Sequence, residues 1–412
     1  MAVIAPFKAV RPAREEAATI AALPYDVYNR KEAYEKVKEC PKSFLAIDRP
    51  ETQFPEDYDM YSKEVYQKAH DMLYQWIEEG RFIRDERPAY YVYELTMDGR
   101  SQTGIVACAA IDDYECGVIK KHENTRAEKE LDRINHVDCC SAQTGPIFLA
   151  YRAENHIKGI VEKTKTRLPV YDFVAEDGIS HRCWIIDDML DMALIANTFG
   201  SMDSIYIADG HHRAASAVKV GLKRRAEAIG EQTGAEPYNF FLSVLFPDDE
   251  LKIYDYNRVV KDLNGLDSLE FLNELEGVVD FIENSQEAIS PTKKGQFSML
   301  LDGNWHLLQV KEELMSEDKV EGLDVSLLQN LILKPILGIE DPKTDNRIDF
   351  VGGIRGLSEL EKRCNEDAKV AFAMYPTSIE ELFQVADAGL LMPPKSTWFE
   401  PKLRSGLFIH EI

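Results

Sequence analysis

The strongest constraint on the fold of this chain is the stretch from Ile205 to Ala217, where an apolar segment runs into Asp-Gly-His-His-Arg and then into alanines. Branched and aromatic residues at 205–207 predict a strand. Gly210 permits a sharp turn, and Ala214 with Ala215 favours a helix directly afterwards. The first turn of such a helix presents unpaired backbone N–H groups at the positive end of its dipole. This arrangement suits a bound anion, and phosphate is the usual one.

Three basic side chains occupy that first helical turn: His211, His212 and Arg213. The helix dipole disfavours a cation there by about 0.3–1 kcal/mol at exposed positions. A bound anion would offset this cost, so the sequence favours a phosphate-binding turn. The alternative is a structural turn whose histidines bond to neighbouring carbonyl groups, and the residues alone leave that alternative open.

Composition narrows the classes of partner. The formal net charge of −24 argues against a non-specific grip on nucleic acid and against anionic membranes, but a small-molecule substrate can still bind a local cationic pocket. The seven cysteines include no C-x-x-C pair, which predicts free thiols in a reducing compartment. Pro6 interrupts the opening residues too early for a signal peptide, and no apolar run is long enough for a membrane helix. The expected location is therefore the cytoplasm.

The organisation of the chain favours an α+β fold with mixed sheets. Hairpin turns are predicted at Asp98-Gly99, Asp177-Gly178 and Asp302-Gly303. Residues 43–48 are predicted to form a strand, and helices are predicted at 123–142 and 269–281, among others. Neither G-x-G-x-x-G nor a P-loop is present, so the common nucleotide fingerprints are missing.

A second candidate for chemistry is the segment Gly117–Arg126, in which a short apolar run ends in basic and acidic residues. Glu123 could act as a general base if burial raises its pKa. In the structural interpretation Thr125 caps the following helix, and Glu128 completes a capping box. The spacing does not decide between the two.

Two weaker candidates lie near the ends of the chain. Tyr25 and Asp26 follow a proline, as in many structural turns. Near the C-terminus the segment Met392–Phe399 offers donors for phosphate from Lys395, Ser396 and Thr397, although read alone it favours a C-terminal strand that closes a sheet and carries ordinary surface lysines. No structural metal site is expected, because His211 and His212 are adjacent. A magnesium ion carried by a nucleotide could use Asp209 or Glu123.

Five motifs in order resemble the bacterial and archaeal family of unknown function DUF1015. They stand here as Pro6–Pro12, Pro24–Val27, His122–Thr125, Asp209–Arg213 and Met392–Thr397. The Asp-Gly-His-His-Arg turn is in addition similar to the phosphate-binding turn of the ParB and sulfiredoxin superfamily, in which some members phosphorylate free L-serine with ADP or ATP through a glutamate base. One departure is Ala214–Ser216, where family members often have Tyr-Glu-Thr.

This resemblance implies three parts: an N-terminal α+β unit at 1–115, a ParB/sulfiredoxin-like catalytic unit at 116–245, and a C-terminal α+β unit at 246–412 whose tail returns to the site. It implies a phosphotransferase that uses ATP or ADP with magnesium, with L-serine as the favoured acceptor. The alternative is a non-catalytic nucleotide switch or a metabolite-binding protein. The oligomeric state is left open.

The implied roles fall on the motif residues. Glu123, His211 and Asp209 would be catalytic. Phosphate binding would fall on the turn and on the C-terminal motif, that is on Gly210, His212, Arg213, Lys395, Ser396 and Thr397. The weaker substrate contacts would be Tyr25, Asp26, His122 and Thr125.

Overall fold

A computed structural model describes all residues from Met1 to Ile412. The chain is a mixed α+β protein with thirteen α-helices and several sheets. It folds as two compact units, residues 1–251 with 401–412, and residues 252–400. Residue 115, where the sequence suggested a border, lies inside the first unit.

The first unit is built on a nine-stranded mixed sheet. In chain order its strands and those of its small sheets are β1 Ile4–Ala5, β2 Val10–Pro12, β3 Phe82–Arg84, β4 Tyr90–Met97, β5 Arg100–Ala110, β6 Ile119–Lys120, β7 Ala142–Gln143, β8 Ile147–Tyr151, β9 Tyr171–Val174, β10 Ser180–Ile186, β11 Ile205–Asp209, β12 Phe240–Pro247, and a last strand at His410–Glu411. The large sheet has the order β6-β11-β8-β12-β5-β4-β10-β9, with β1 pairing with β5. Only β6 with β11 and β8 with β12 run parallel.

Nine helices belong to this unit: α1 Ala17–Ile20, α2 Arg30–Glu39, α3 Leu45–Asp48, α4 Lys63–Glu78, α5 Ile111–Glu115, α6 Ala127–Cys140, α7 Asn155–Lys165, α8 Met189–Gly200 and α9 His211–Glu227. One buried cluster joins the sheet to α7, α8 and α9 through residues such as Leu149, Ile207 and Ala214. A second cluster packs α2, α3 and α4 around Phe44 and Leu73, and it includes Ile409 of the C-terminal tail. The tail is therefore part of the core of this unit.

The second unit carries a six-stranded antiparallel sheet. Its elements are β13 Ile253–Tyr254, β14 Tyr256–Val260, α10 Ser268–Leu275, β15 Val279–Ser285, β16 Gln296–Leu301, β17 Asn304–Val310, α11 Asp324–Leu328, β18 Ile348–Gly352, α12 Leu357–Glu366, β19 Val370–Met374, α13 Ile379–Asp387 and β20 Trp398–Phe399. The sheet order is β15-β17-β16-β19-β14-β18, and β13 pairs with β20. Trp305, Leu360 and Ala371 lie in its core.

The structure confirms the three predicted hairpins and corrects three predicted elements. Residues 43–48 contain helix α3 instead of a strand, because a short apolar run buried on all sides has no periodicity that separates helix from strand. The helix predicted to 281 ends at Leu275, and the branched residues after Gly277 enter β15. The helix predicted at 123–142 spans only 127–140, since Ser141 adopts a left-handed conformation at φ 49°.

Candidate functional site

The predicted strand, glycine turn and helix form as β11, Gly210 and α9. Gly210 has φ 94°, in the left-handed region that favours glycine. No side chain caps α9 at this position. Because the first amides of a helix have no partner within it, this end of α9 presents N–H donors that suit an acceptor such as a phosphate oxygen.

The segment that contains Glu123 lies beside this turn. Strand β6 pairs in parallel with β11, so the residues that follow both strands emerge at the same edge of the sheet. The backbone N–H of His122 donates to Nε2 of His211 at 3.5 Å, and that of Arg126 donates to Nε2 of His212 at 2.9 Å. The rings of His122 and His211 meet edge to face at 4.6 Å between centroids. The fold therefore brings together two motifs that are far apart in sequence, and the half-buried Glu123 belongs to the first of them.

The histidines of the turn favour the neutral state. Burial lowers the pKa of His211 well below its usual value, and the neighbouring His122 adds to that effect. Burial also lowers the pKa of His212, with Lys129 acting in the same direction and Asp26 against it. The sequence suggested that three cations interact unfavourably with the helix dipole. Because the two histidines favour the neutral state, that cost applies to Arg213 alone. A charge-offsetting role for His211 would have to come from a neutral ring that hydrogen-bonds.

Arg213 is paired inside the protein. Its Nη2 lies 3.0 Å from Oδ2 of Asp209, and its Nη1 donates to the carbonyl of Pro146 at 2.5 Å. Lys402 from the C-terminal tail places its Nζ 3.6 Å from Oδ1 of the same aspartate. Burial would raise the pKa of Asp209, but Lys402 and Arg213 outweigh it and lower the pKa to about 2. Asp209 is thus a permanent carboxylate that holds two cations at the turn.

A cleft lies next to Arg213. Its volume is about 430 Å³ when the space open to solvent is included. Tyr25 lines it, with the guanidinium carbon of Arg133 4.1 Å from its ring centroid. Asp26 is exposed beside this cleft residue. The structure thus brings the Pro24–Val27 motif to the same region as the turn.

The segment predicted to cap α6 is arranged differently. Arg126, without a side-chain cap, precedes the helix, and Thr125 donates instead to Oε2 of Glu130 at 2.7 Å. The capping box with Glu128 is therefore not formed. Thr125 is thus bonded to Glu130, which also pairs with Lys219. For Thr125 to contact substrate as predicted, its hydrogen bond to Glu130 would have to break.

The C-terminal motif belongs to the second unit. Lys395 is exposed with φ 61°, and its Nζ lies 5.3 Å from the ring centroid of Tyr256. Ser396 is buried and donates its hydroxyl to the carbonyl of Pro393 at 2.7 Å, while its own carbonyl accepts from Thr377. The half-buried Thr397 follows. The phosphate-binding roles of Lys395, Ser396 and Thr397 stay predictions.

Sequence reasoning missed three residues of this region: Asp48, Arg133 and Lys402. Asp48 fell in the segment taken for a strand, and Arg133 in a helix read only for its charge. Lys402 lies in a basic tail, and no local sequence pattern indicates that Lys402 meets the end of β11. No group of three or more His, Cys, Asp or Glu side chains is arranged to hold a metal ion. No helix of the chain has the length and apolar character needed to cross a membrane.

Several buried histidines of the first unit predict a loss of stability in mild acid. Burial lowers the pKa of His122 to about 4, of His410 to about 4 and of His181 to about 3. Between pH 6.5 and 4 the unfolded chain therefore binds more protons than the folded one, and the free energy of unfolding falls as the pH falls. We expect a loss on the order of 1 kcal/mol per histidine, visible in thermal unfolding at stepped pH.

The second unit supplies a contrast in the same experiment. Burial raises the pKa of Asp324 to about 7, so its contribution has the opposite sign and grows as the pH falls from about 7 towards 4. Ring-proton NMR of the histidines separates the two effects. Histidines 122, 181 and 410 that titrate near pH 6.5 would contradict the prediction.

The fold and the turn define a mixed α+β protein with a strand–glycine–helix motif suited to an anion. The chain belongs to the family described as protein of unknown function (DUF1015), whose model matches residues 4–326. This confirms the resemblance to that family, whereas the similarity of the turn to the ParB and sulfiredoxin superfamily stays a prediction. No curated protein matches the sequence.

Several solved structures are similar at low identity. A free serine kinase mutant in complex with ADP has a TM-score of 0.36 and 14% identity, over 74% of this chain and 92% of that one. SbnI with a C-terminal truncation, from Staphylococcus aureus, has a TM-score of 0.39 and 10% identity, over 74% and 86%. A conserved hypothetical protein from Pyrococcus furiosus has a TM-score of 0.33 and 16% identity, over 74% and 94%. These values are too low to assign an activity.

Proposed function

We propose that this protein transfers a phosphate from ATP or ADP to the hydroxyl group of a small metabolite, with L-serine as the acceptor. The observation that supports the proposal is the parallel pairing of β6 with β11, together with the bonds from the N–H groups of His122 and Arg126 to the rings at the uncapped start of α9. A phosphate seated on the amides after Gly210 would then lie near a carboxylate. Phosphoryl transfer depends mainly on such positioning and on charge stabilisation.

The proposed step is a direct displacement at phosphorus. The carboxylate of Glu123 takes the proton of the acceptor hydroxyl, and the hydroxyl oxygen forms the new bond to phosphorus. The bond from phosphorus to the bridging oxygen breaks, and the departing nucleotide keeps that electron pair. Magnesium bound to the nucleotide would neutralise charge on the phosphates.

The remaining residues of the turn support this step by position. We propose that His211 and His212 contribute hydrogen bonds as neutral rings, and that Arg213 contributes charge. Asp209 fixes Arg213 and Lys402 at the turn and is not a proton acceptor, because its pKa near 2 makes it a poor base at neutral pH.

Replacing Glu123 by glutamine is expected to reduce phosphotransfer by about 10²-fold or more, since general-base catalysis is worth that much. Binding of ADP, measured by calorimetry, should change little because the amide seat after Gly210 is unaltered. The assay incubates purified protein with magnesium, L-serine and ATP or ADP, and measures phosphoserine. Glu128→Gln is the matched control, because Glu128 is an exposed carboxylate of the neighbouring helix turn.

Each outcome of this experiment decides between functions. Phosphotransfer that survives in Glu123→Gln would overturn the assignment of the base. Tight nucleotide binding without turnover on a broad panel of hydroxylated metabolites would favour a nucleotide switch, the second function that the sequence left open. The internal pairing of Arg213 with Asp209 is the observation in favour of that second function, because it leaves the guanidinium less able to follow a moving phosphate.

A further inference from the structure

The cleft beside Arg213 contains an acidic group that forms no direct ion pair, with Arg133 near enough to act on it electrostatically. Asp48 is 3% exposed and lines this cleft. Its carboxylate accepts one hydrogen bond within the protein, from the hydroxyl of Thr144 at 2.8 Å, and it forms no ion pair. A buried carboxylate in this state is costly unless a cation or a further donor reaches it.

The same cleft also contains a basic group with an unused donor. The side chain of Arg213 is 10% exposed, and its Nε is buried without a hydrogen-bond partner. Arg133, which also lines the cleft, is 6% exposed and pairs with Asp132 at 2.8 Å. An unpaired buried N–H carries a penalty that an acceptor in the cleft would remove.

Within one small space, the carboxylate of Asp48 requires a cation and the Nε–H of Arg213 requires an acceptor, and together they define the ligand. We propose that the cleft binds the head group of an α-amino acid, with its ammonium group at Asp48 and its carboxylate at the Nε–H of Arg213. The cleft is small and open to solvent, so the head group occupies its inner part and the amino-acid side chain points out towards the open part. This inference rests on the proposed function and adds to it the side chains that would hold the head group of an amino-acid acceptor.

A binding experiment isolates the head group from the chemistry. Calorimetry in the presence of ADP is carried out with L-serine, with L-alanine, which lacks the hydroxyl, and with 3-hydroxypropionate, which lacks the ammonium group. We expect L-serine and L-alanine to bind comparably and 3-hydroxypropionate to bind at least about tenfold more weakly. In Asp48→Asn the affinity for both amino acids should fall about tenfold, while that for 3-hydroxypropionate changes little.

The variants are chosen to preserve the fold and to distinguish a failure of this inference from a failure of the proposed function. Asparagine at position 48 can still accept from Thr144, and Asp113→Asn is the control, a second buried carboxylate of this unit that binds the N–H of Val3. If all three compounds bind equally, or if Asp48→Asn has no effect on the amino acids, the cleft holds only water and the inference is overturned. Phosphotransfer to an acceptor without an amino-acid head group would also overturn it while the proposed function stands. Failure of ADP to bind overturns the proposed function instead.

Discussion

Replacing Gly406 by alanine is expected to lower the free energy of unfolding of the first unit by about 3 kcal/mol. Gly406 has φ 80°, where an L side chain is strained. A Cβ atom there would clash with Cγ of Phe44, whose side chain is fully buried. The cost therefore combines backbone strain with overpacking.

The same change should weaken the site, because Gly406 anchors the tail that carries Lys402 and Ser405. Its N–H donates to the carbonyl of Thr144 at 3.1 Å, next to the cleft. Thermal unfolding measures the loss, and limited proteolysis of the tail tests whether it has detached. Gly230→Ala is the control: Gly230 has φ 105° but nothing within 4 Å of a Cβ, so it costs only the strain, about 1 kcal/mol. Equal losses in the two variants would contradict the packing argument.

Local chemistry predicted the parts of the fold and site that depend on neighbours in sequence. The turn at Gly210 follows from an apolar run, one glycine and helix-forming alanines, and the hairpin at Asp98-Gly99 from a residue pair that tolerates positive φ at both positions. The motif order gave the family. These features need no knowledge of what the segments pack against.

Features set by distant residues could not be predicted in this way. Asp48 lies in a short apolar run that becomes helix only because the tail and α4 bury it from several sides. Lys402 meets Asp209 from nearly half the chain length away in sequence. The neutral state of His211 depends on burial against His122, which the sequence does not reveal. Tertiary packing thus decides the charge at the site, although the sequence decides its backbone.

Replacing Arg213 by methionine is expected to destabilise the first unit by about 3 kcal/mol, and to lower its Tm by about 6–12 °C. The change leaves Asp209 with Lys402 alone and removes the donor to the carbonyl of Pro146. Removing one partner of a partly buried pair costs more than the pair contributes, since the other charge stays partly desolvated. Arg84→Met is the control, because Arg84 pairs with Glu411 at the surface, where an ion pair is worth about 1 kcal/mol or less.

A double variant separates the two roles that Arg213 can have, one in fold stability and one in phosphate binding. Adding Asp209→Asn to Arg213→Met removes the carboxylate that the first change leaves with Lys402 alone. The free energy of unfolding should therefore recover in part, as measured by thermal unfolding. Binding of ADP should not recover, if the guanidinium contributes charge to the phosphate seat in addition to holding the turn together. Recovery of both would make Arg213 a structural residue only, and the helix start would then have to bind the anion through its amides and Lys402. The internal ion pair at the turn is therefore the point at which fold stability and phosphate binding can be measured apart.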